Sequence, residues 1–195
     1  MYPFVETVRI EDGMMQNISY HQQRMERTMK RFFPDTRVPS LAEVLNGRQW
    51  PVDKIWKVHI EYDEGGISCI RADEYHIRDI RRLRLVTCND IDYEYKSADR
   101  QQLEALRAMK GDADEVVIVR DGLITDTSYS NIALFDGHRW VTPRHPLLCG
   151  TMRQSLLDAG LLEERDVRAT EWNSYEKVSL INAMMPLGCL VCCTD

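Results

Sequence analysis

The stretch that decides the fold is residues 112–135, which read DADEVVIVRDGLITDTSYSNIALF. Runs of Val, Ile, Leu and Phe lie on either side of turn-forming and polar residues, which predicts two strands joined by a tight turn at Asp121-Gly122. The polar run Thr125–Asn131 lies between Ile124 and Ile132. Such a run is either a surface loop or a set of polar groups carried into a site. Taken alone, it favours the loop, because loops collect these residue types.

The composition is that of a soluble globular protein. Hydrophobic residues make up 44% and charged residues 29% of the 195 residues. The formal net charge of −6 argues against a nucleic-acid-binding surface and does not favour an anionic membrane. No apolar run is long enough to span a bilayer, and the N-terminus lacks the pattern of a signal peptide. We therefore expect a cytoplasmic protein that binds neither nucleic acid nor membrane.

The cysteines and histidines show no arrangement typical of a metal site. The six cysteines lie at positions 69, 88, 149, 189, 192 and 193. Cys189-Leu-Val-Cys192 has the spacing of a redox motif, but no second pair accompanies it, as a zinc site would require. We expect buried, reduced thiols, with a redox or metal role as the alternative. The five histidines are scattered without ligand spacing, so no metal is predicted.

Hydrophobic periodicity predicts a mixed α/β chain. Besides the two strands in 112–135, the predicted strands are Phe4–Ile10, Ile55–Tyr62, Ile67–Ile70, Leu83–Cys88, Trp140–Thr142 and Val178–Ile181. The first predicted helix begins at Ser19 and stops at Pro34, and the second runs from Leu41 to Leu45 with Ser40 and Glu43 as a capping box. The third carries Leu103, Leu106 and Met109 on one face and is closed by Gly111. The fourth runs from Gly150 to Leu157. We place a small N-terminal α/β domain at residues 1–81 and a larger domain at 82–195.

Five motifs follow one another in a fixed order along these elements. They are Tyr93-Glu-Tyr-Lys96, the stretch 112–135 with Ile124-Thr-Asp126, Val141-Thr-Pro143, Leu147-Leu-Cys-Gly150-Thr-Met-Arg153-Gln154 and Ile181-Asn-Ala-Met-Met-Pro186. The element His21-Gln-Gln-Arg24 precedes them on the first predicted helix. This order resembles the fold-type IV pyridoxal 5'-phosphate (PLP) enzymes, the class IV aminotransferase family. The family includes branched-chain and D-amino-acid aminotransferases and aminodeoxychorismate lyase. The last two motifs make the lyase the closest likeness.

The resemblance implies a D-amino-acid aminotransferase-like fold of two small α/β domains with the cofactor at their interface. It also implies a homodimer and a small, amino-acid-like substrate. The family usually carries a further pair of strands before Phe4, so the chain resembles an N-terminally shortened member.

The resemblance assigns roles to single residues. Lys96 matches the catalytic lysine that forms the Schiff base with PLP. Arg24 matches the arginine that reaches the cofactor phosphate, for which a planar fork of donors is suited. Asp126 stands where the family has glutamate, opposite the pyridine nitrogen, and its alternative role is turn formation. Thr151 and Met152 match positions whose backbone N–H groups hold the phosphate at a helix start.

A second group of matches concerns the C-terminal motifs. Ala183 lies in a segment that presents N–H groups towards the phosphate, and we assign it to cofactor binding. Met184 and Met185 are assigned to substrate binding, although a Met-Met pair is otherwise ordinary core material. Asn131 and Arg153 also match family positions, and for both the default role is structural.

The implied activity resembles that of aminodeoxychorismate lyase, with an external aldimine, Lys96 as general base, and elimination that releases pyruvate and 4-aminobenzoate. A class IV aminotransferase acting on branched-chain or D-amino acids is the alternative enzyme. A PLP-binding relative without turnover is a third possibility. Known lyases carry a glycine- and arginine-rich substrate loop where this chain has Tyr62-Asp-Glu-Gly-Gly66.

Overall fold

The computed structural model describes residues 3–192, which divide into two units. The first unit takes the described residues up to Ile77 together with the segment Tyr95–Asp99. The second takes Arg78–Glu94 and the described residues from Arg100 onward. The segment that holds Lys96 therefore groups with the N-terminal residues. The domain limits at 1–81 and 82–195 stay a prediction.

The first unit is a four-stranded antiparallel sheet with two helices. The strands are β1 Phe4–Glu11, β2 Met14–Met15, β3 Ile55–Asp63 and β4 Gly66–Glu74, and the helices are α1 Ile18–Phe32 and α2 Leu41–Asn46. The order of the strands in the sheet is β2-β1-β3-β4. Alternate residues of β1 and β3, including Val8 and Val58, pack with Met25 and Met29 of α1 into one fully buried core. This is the alternation expected of a sheet with one face covered by helix.

Local signals explain where these elements turn and begin. Asp12 and Gly13 have φ angles of 50° and 77°, as the two-residue turn between β1 and β2 requires. The Glu43 N–H donates to Ser40 Oγ at 3.3 Å, which confirms Ser40 as the N-cap of α2, one half of the predicted capping box. The predicted helix that begins near Ser19 is confirmed as well, and it ends at Phe32 before Pro34.

The second unit contains two sheets. The strands are β5 Leu83–Thr87, β6 Glu115–Arg120, β7 Leu123–Thr127, β8 Asn131–Phe135, β9 Trp140–Pro143, β10 Glu163–Arg165, β11 Lys177–Ile181 and β12 Val191–Cys192. The three-stranded sheet has the order β5-β6-β7, and the five-stranded sheet has the order β10-β9-β8-β11-β12. The helices are α3 Gln101–Ala108 and α4 Thr151–Asp158, with a 3₁₀ helix at Ala169–Ser174.

The stretch 112–135 forms three strands, so the prediction of two was wrong. The turn at Asp121-Gly122 is confirmed, with positive φ at both positions. Beyond it, Thr125 and Asp126 belong to β7, and the polar run is buried, with Asp126 5% exposed. The interpretation as a surface loop is therefore wrong. Polar side chains were misleading here because several of them, including Thr125, Asp126 and Asn131, have hydrogen-bond partners inside the protein.

The described cysteines differ from expectation. Cys69, Cys88, Cys149, Cys189 and Cys192 are free thiols. Cys192 is buried, but Cys149 and Cys189 are exposed, so the expectation of buried thiols was wrong for these two. Cys193 lies outside the described residues. Within residues 3–192, no helix combines the length and the apolar character needed to cross a membrane.

Candidate functional site

A buried polar network occupies the helix-facing side of the first unit's sheet. Arg24 Nε donates to Glu6 Oε1 at 2.8 Å, and Arg24 Nη2 donates to Glu6 Oε2 at 2.7 Å. His21 Nδ1 lies 2.6 Å from Glu6 Oε2. All three side chains are buried. Helical spacing places His21 and Arg24 one turn apart on α1, so that both reach the same strand residue.

The contacts among Glu6, His21 and Arg24 determine the protonation states of this network. Burial would raise the pKa of Glu6, but the Arg24 guanidinium and the His21 hydrogen bond outweigh it and lower the pKa to about 2. Burial lowers the pKa of His21, against the opposing effect of Glu6. An ionised Glu6 can only accept, so His21 Nδ1 carries the hydrogen and donates it. The network therefore pairs one anion with one fixed cation.

Replacing Glu6 with Gln is expected to lower the free energy of unfolding at pH 7 by about 3 kcal/mol. A pKa lowered from 4.5 to about 2 corresponds to roughly that amount. The contribution is fully present above pH 4.5 and is lost as the pH falls towards 2, so the difference between wild type and variant should shrink over that range. Urea unfolding at several pH values measures it.

Glu61 provides a matched control. It also pairs with a histidine and an arginine, His59 and Arg71, but its side chain is 26% exposed. Exposed ion pairs contribute about 0–1 kcal/mol, so Glu61→Gln should change the free energy of unfolding little. Equal effects of the Glu6 and Glu61 substitutions would contradict the importance of the buried network.

Lys96 is held beside β1 by main-chain hydrogen bonds. The Val5 N–H donates to the Lys96 carbonyl at 2.8 Å, and the Ala98 N–H donates to the Pro3 carbonyl at 2.8 Å. The ring of neighbouring Tyr95 packs edge-on against Phe32, with ring centroids 4.8 Å apart. Lys96 is half-buried, and its charge helps to lower the pKa of His21. The structure thus brings Lys96 into the same unit, and the same electrostatic environment, as Arg24.

In the second unit, Asp126 projects from β7 and has both carboxylate oxygens bonded. Asn131 Nδ2 donates to Asp126 Oδ1 at 2.8 Å, and the Leu148 N–H donates to Asp126 Oδ2 at 2.9 Å. The connection from β7 to β8 is short because Thr127 Oγ1 accepts the N–H groups of Tyr129 and Ser130. This turn is the local reason that Asp126 and Asn131 face each other.

The ionised form of Asp126 is costly in its surroundings. Burial raises the pKa of Asp126 to about 6, and this effect outweighs the Leu148 and Asn131 hydrogen bonds and the charge of Arg153, all of which lower it. A buried carboxylate of this kind gains from a cation or a charged donor placed beside it. A protonated pyridine nitrogen is such a donor.

The start of α4 is a second feature of this unit. Gly150 is the N-cap and contributes no side-chain hydrogen bond. The first turn contains Thr151 and Met152, both buried, in the place where backbone N–H groups and the helix dipole favour an anion. Arg153 is also buried and donates to the Pro143 carbonyl at 2.9 Å and to Glu164 at 2.6 Å. These contacts agree with a structural role for Arg153.

The segment after β11 forms a tight turn closed by Asn182. Asn182 Oδ1 accepts the N–H groups of Met184 (2.8 Å) and Met185 (3.1 Å), and both methionines are buried. These two N–H groups are therefore already hydrogen-bonded to Asn182. Substrate binding by Met184 and Met185 stays a prediction, and it would have to use their other atoms. Ala183 lies in the same turn, half-buried.

The structure adds residues that sequence analysis did not single out. These residues are Glu6, which binds Arg24, and Leu148, whose main-chain N–H binds Asp126. A signal for Glu6 was present, because an acidic residue occupies a core-facing position between Phe4 and Val8. No side-chain pattern could have indicated Leu148, since it acts through its backbone.

Comparisons with known proteins agree on one family. Residues 69–189 match the model of the family described as Amino-transferase class IV. The chain is 34% identical to an uncharacterized protein of Haemophilus influenzae, over 94% of this chain and 98% of that protein. It is 33% identical to a Haemophilus somnus protein of known structure, described as a candidate 4-amino-4-deoxychorismate lyase, with a TM-score of 0.90 and coverage of 96% and 98%.

A more distant likeness shows the fold alone. A hypothetical aminotransferase from Mycobacterium tuberculosis, solved in a PLP-bound form, matches with a TM-score of 0.73 and 16% identity over 97% of this chain and 78% of that one. The fold is that of the fold-type IV PLP enzymes. This chain belongs to the class IV aminotransferase family, whose members are PLP-dependent lyases or aminotransferases.

The residues present fit PLP. The first unit holds a half-buried lysine and an arginine whose guanidinium plane is fixed by Glu6. The second holds a buried carboxylate with a raised pKa and a helix start capped by glycine. An amine, a cation for phosphate, an anion for the ring nitrogen and an anion-binding helix start are the donor set that PLP chemistry needs.

Proposed function

We propose that this protein is a PLP-dependent enzyme with the activity of an aminodeoxychorismate lyase, releasing pyruvate and 4-aminobenzoate. The observation that carries the proposal is the likeness to the Haemophilus somnus protein, which extends over almost the full length of both chains at 33% identity. The sequence motifs support it, since Gly150–Gln154 and Asn182–Pro186 resemble the lyase. A homodimer and a cytoplasmic location, expected from the same resemblance and from composition, are part of the proposal.

This proposal gives each candidate residue a specific role. PLP, when bound, would supply an electron sink for the bond cleavage. Lys96 Nζ would hold the cofactor and later take and return the proton that moves during elimination. Asp126 would keep the pyridine nitrogen protonated. Arg24 and the backbone at Thr151 and Met152 would bind the phosphate, with the Ala183 segment as a further contact.

Arg24→Ala is expected to weaken PLP binding by about 1.5–3 kcal/mol, the scale of a charge-assisted hydrogen bond. The structure adds that this variant leaves Glu6 buried without its main cation, so a loss of folding stability should accompany the loss of affinity. Fluorescence titration with PLP measures the first effect, and urea unfolding measures the second.

Arg27 is the control for Arg24. It lies one turn further along the same helix and is exposed, so Arg27→Ala should leave both the PLP dissociation constant and the free energy of unfolding near wild type. An unchanged PLP dissociation constant in folded Arg24→Ala would remove Arg24 from the phosphate site.

The function is tested in two steps on the purified chain. An absorbance spectrum after addition of PLP shows whether the cofactor binds, and borohydride reduction followed by peptide mass spectrometry shows whether it attaches to Lys96. Aminodeoxychorismate is then supplied, and pyruvate and 4-aminobenzoate are measured. Formation of both products at equal rates, absent in Lys96→Ala, is the expected result. A protein that takes up no PLP would contradict both enzyme assignments.

An aminotransferase is the second candidate, and the turn between β3 and β4 favours it. Asp63 and Gly66 close that turn directly, so the described residues there form a tight hairpin without the arginine that the substrate loop of known lyases contains. Amino transfer from branched-chain or D-amino acids to a keto acid, without release of 4-aminobenzoate, would select this candidate. PLP uptake without either activity would identify a binding protein without turnover.

A further inference from the structure

Asn131 forms a closed ring of hydrogen bonds with Asp126 and Leu148. Its Nδ2 donates to Asp126 Oδ1 and to the Leu148 carbonyl, both at 2.8 Å. The Leu148 N–H closes the ring by donating to Asp126 Oδ2 at 2.9 Å. Both partners of the Asn131 amide are acceptors, so the NH₂ group must face them. These two acceptors therefore fix which way the side-chain amide is turned.

The other end of the Asn131 amide faces the N-cap of α4. A Cβ atom at Gly150 would collide with Asn131 Oδ1, so glycine allows the main chain before α4 to lie directly against this side chain. Asn131 is 5% exposed. One buried amide therefore touches the carboxylate on β7 and the last residues before the helix start.

We propose that Asn131 is a positioning residue that locks the Asp126 carboxylate to the start of α4. The inference rests on the proposed function in one respect, that PLP is the molecule bound. The ring nitrogen and the phosphate of PLP belong to one small molecule, in which a short CH₂–O arm joins the phosphate to the ring. Asp126 is assigned to the nitrogen, and Thr151 and Met152 are assigned to the phosphate. Asn131 sets the spacing between these two anchor points without touching either end itself.

The ring also orients the carboxylate. The two oxygens of Asp126 accept hydrogen bonds from fixed donors, Asn131 and the Leu148 N–H, and the Leu147 N–H is a further, lesser donor to the carboxylate. A carboxylate oxygen also has a second acceptor direction. Rotation of Asp126 would break two bonds at once. Without Asn131, Oδ1 loses its side-chain donor, and the main-chain N–H groups of Leu148 and Leu147 hold the carboxylate less firmly against rotation.

The first test uses the cofactor-free protein, so it does not depend on PLP. Carboxyl-carbon NMR of aspartate-labelled protein follows the ionisation of Asp126, with Asp126→Asn identifying its signal. Wild type should titrate near pH 6. Asn131→Leu removes a donor that stabilises the ionised form, so the midpoint should rise by about one pH unit. Arg153, the charged group that also lowers the pKa of Asp126, is unchanged in this variant.

Thr142→Val is the matched control. Thr142 is also buried in the second unit, but its Oγ1 donates to the Ile132 carbonyl at 2.8 Å and is not part of the ring of Asn131, Asp126 and Leu148. It should lower stability by a similar amount and leave the midpoint of Asp126 unchanged. If Asn131→Leu fails to fold, Asn131→Ser replaces it, since serine keeps a polar group but is too short to span both partners.

The second test is a double-mutant cycle on PLP binding. Asn131→Leu should weaken PLP by about 10- to 100-fold, and this effect should largely disappear in an Asp126→Asn background, because Asn131 acts through Asp126. A midpoint of Asp126 that stays at its wild-type value in folded Asn131→Leu would overturn the inference. The inference would also be overturned if Asn131→Leu left PLP affinity unchanged, or reduced it equally in the wild-type and Asp126→Asn backgrounds. Failure of wild type to bind PLP would overturn the proposed function, whereas the titration of Asp126 would still test the ring itself.

Discussion

Lys96→Ala is expected to abolish turnover, with a loss of about 10³-fold or more, because in the proposed function this one side chain both attaches the cofactor and moves the proton. The fold should persist. The main-chain carbonyl of Lys96 accepts from Val5, and neighbouring Tyr95 supplies the packing against Phe32, so both contacts survive truncation of the lysine side chain. Product formation measures the first effect, and urea unfolding measures the second.

The experiment has a clear control and a clear contrary result. Lys57 lies in the same unit, on β3, and is exposed, so Lys57→Ala should keep full activity. Borohydride reduction should leave PLP on the Lys96 peptide in wild type and in Lys57→Ala but not in Lys96→Ala. Wild-type turnover in Lys96→Ala would remove the central assignment.

Asp126→Asn is expected to lower turnover by roughly 10²- to 10³-fold, the scale of losing one preorganised electrostatic group. A neutral amide cannot hold the pyridine nitrogen in its protonated form. Part of the PLP affinity should persist, since the phosphate contacts are assigned to other residues. The ratio of kcat between variant and wild type, measured at saturating PLP, checks the prediction, and an unchanged kcat would make Asp126 structural.

Asp126→Glu is also expected to lower activity, even though the family has glutamate here. The structure holds the shorter carboxylate between Asn131 and the Leu148 N–H in a buried site. An added methylene must push one of these contacts away, and such overpacking costs about 1–3 kcal/mol. The free energy of unfolding and the kcat of the variant should both be lower than those of wild type. Activity at or above wild type would show that the site has room for the longer side chain.

The raised pKa of Asp126 predicts how cofactor-free stability depends on pH. A folded-state pKa of about 6 exceeds the ordinary value of about 3.9, so the folded state binds the proton more tightly. The stabilising contribution is full below about pH 4 and is lost as the pH rises through 6, by about 3 kcal/mol. Asp126→Asn should lack this component, and urea unfolding of both proteins between pH 4 and 8 would reveal the difference.

Part of the structure could be predicted because its causes are local. The Asp12-Gly13 and Asp121-Gly122 turns follow from residues that tolerate positive φ, and Ser40 caps α2 through a contact three residues away. The order of motifs around Lys96, Asp126 and Gly150–Gln154 was enough to predict the fold and the family. Such signals need no knowledge of which elements meet.

The sequence by itself determined the class of fold, the family and the residue types needed for PLP. Tertiary structure decided their partners. Glu6 meets Arg24 from 18 positions away, and Leu148 meets Asp126 from 22 positions away. Periodicity shows which face of an element is buried, but it does not show which polar group will lie opposite. The polar run at Thr125–Asn131 was therefore open to two interpretations until its hydrogen bonds were seen, because a buried polar group is distinguished from an exposed one by its partner and not by its own chemistry.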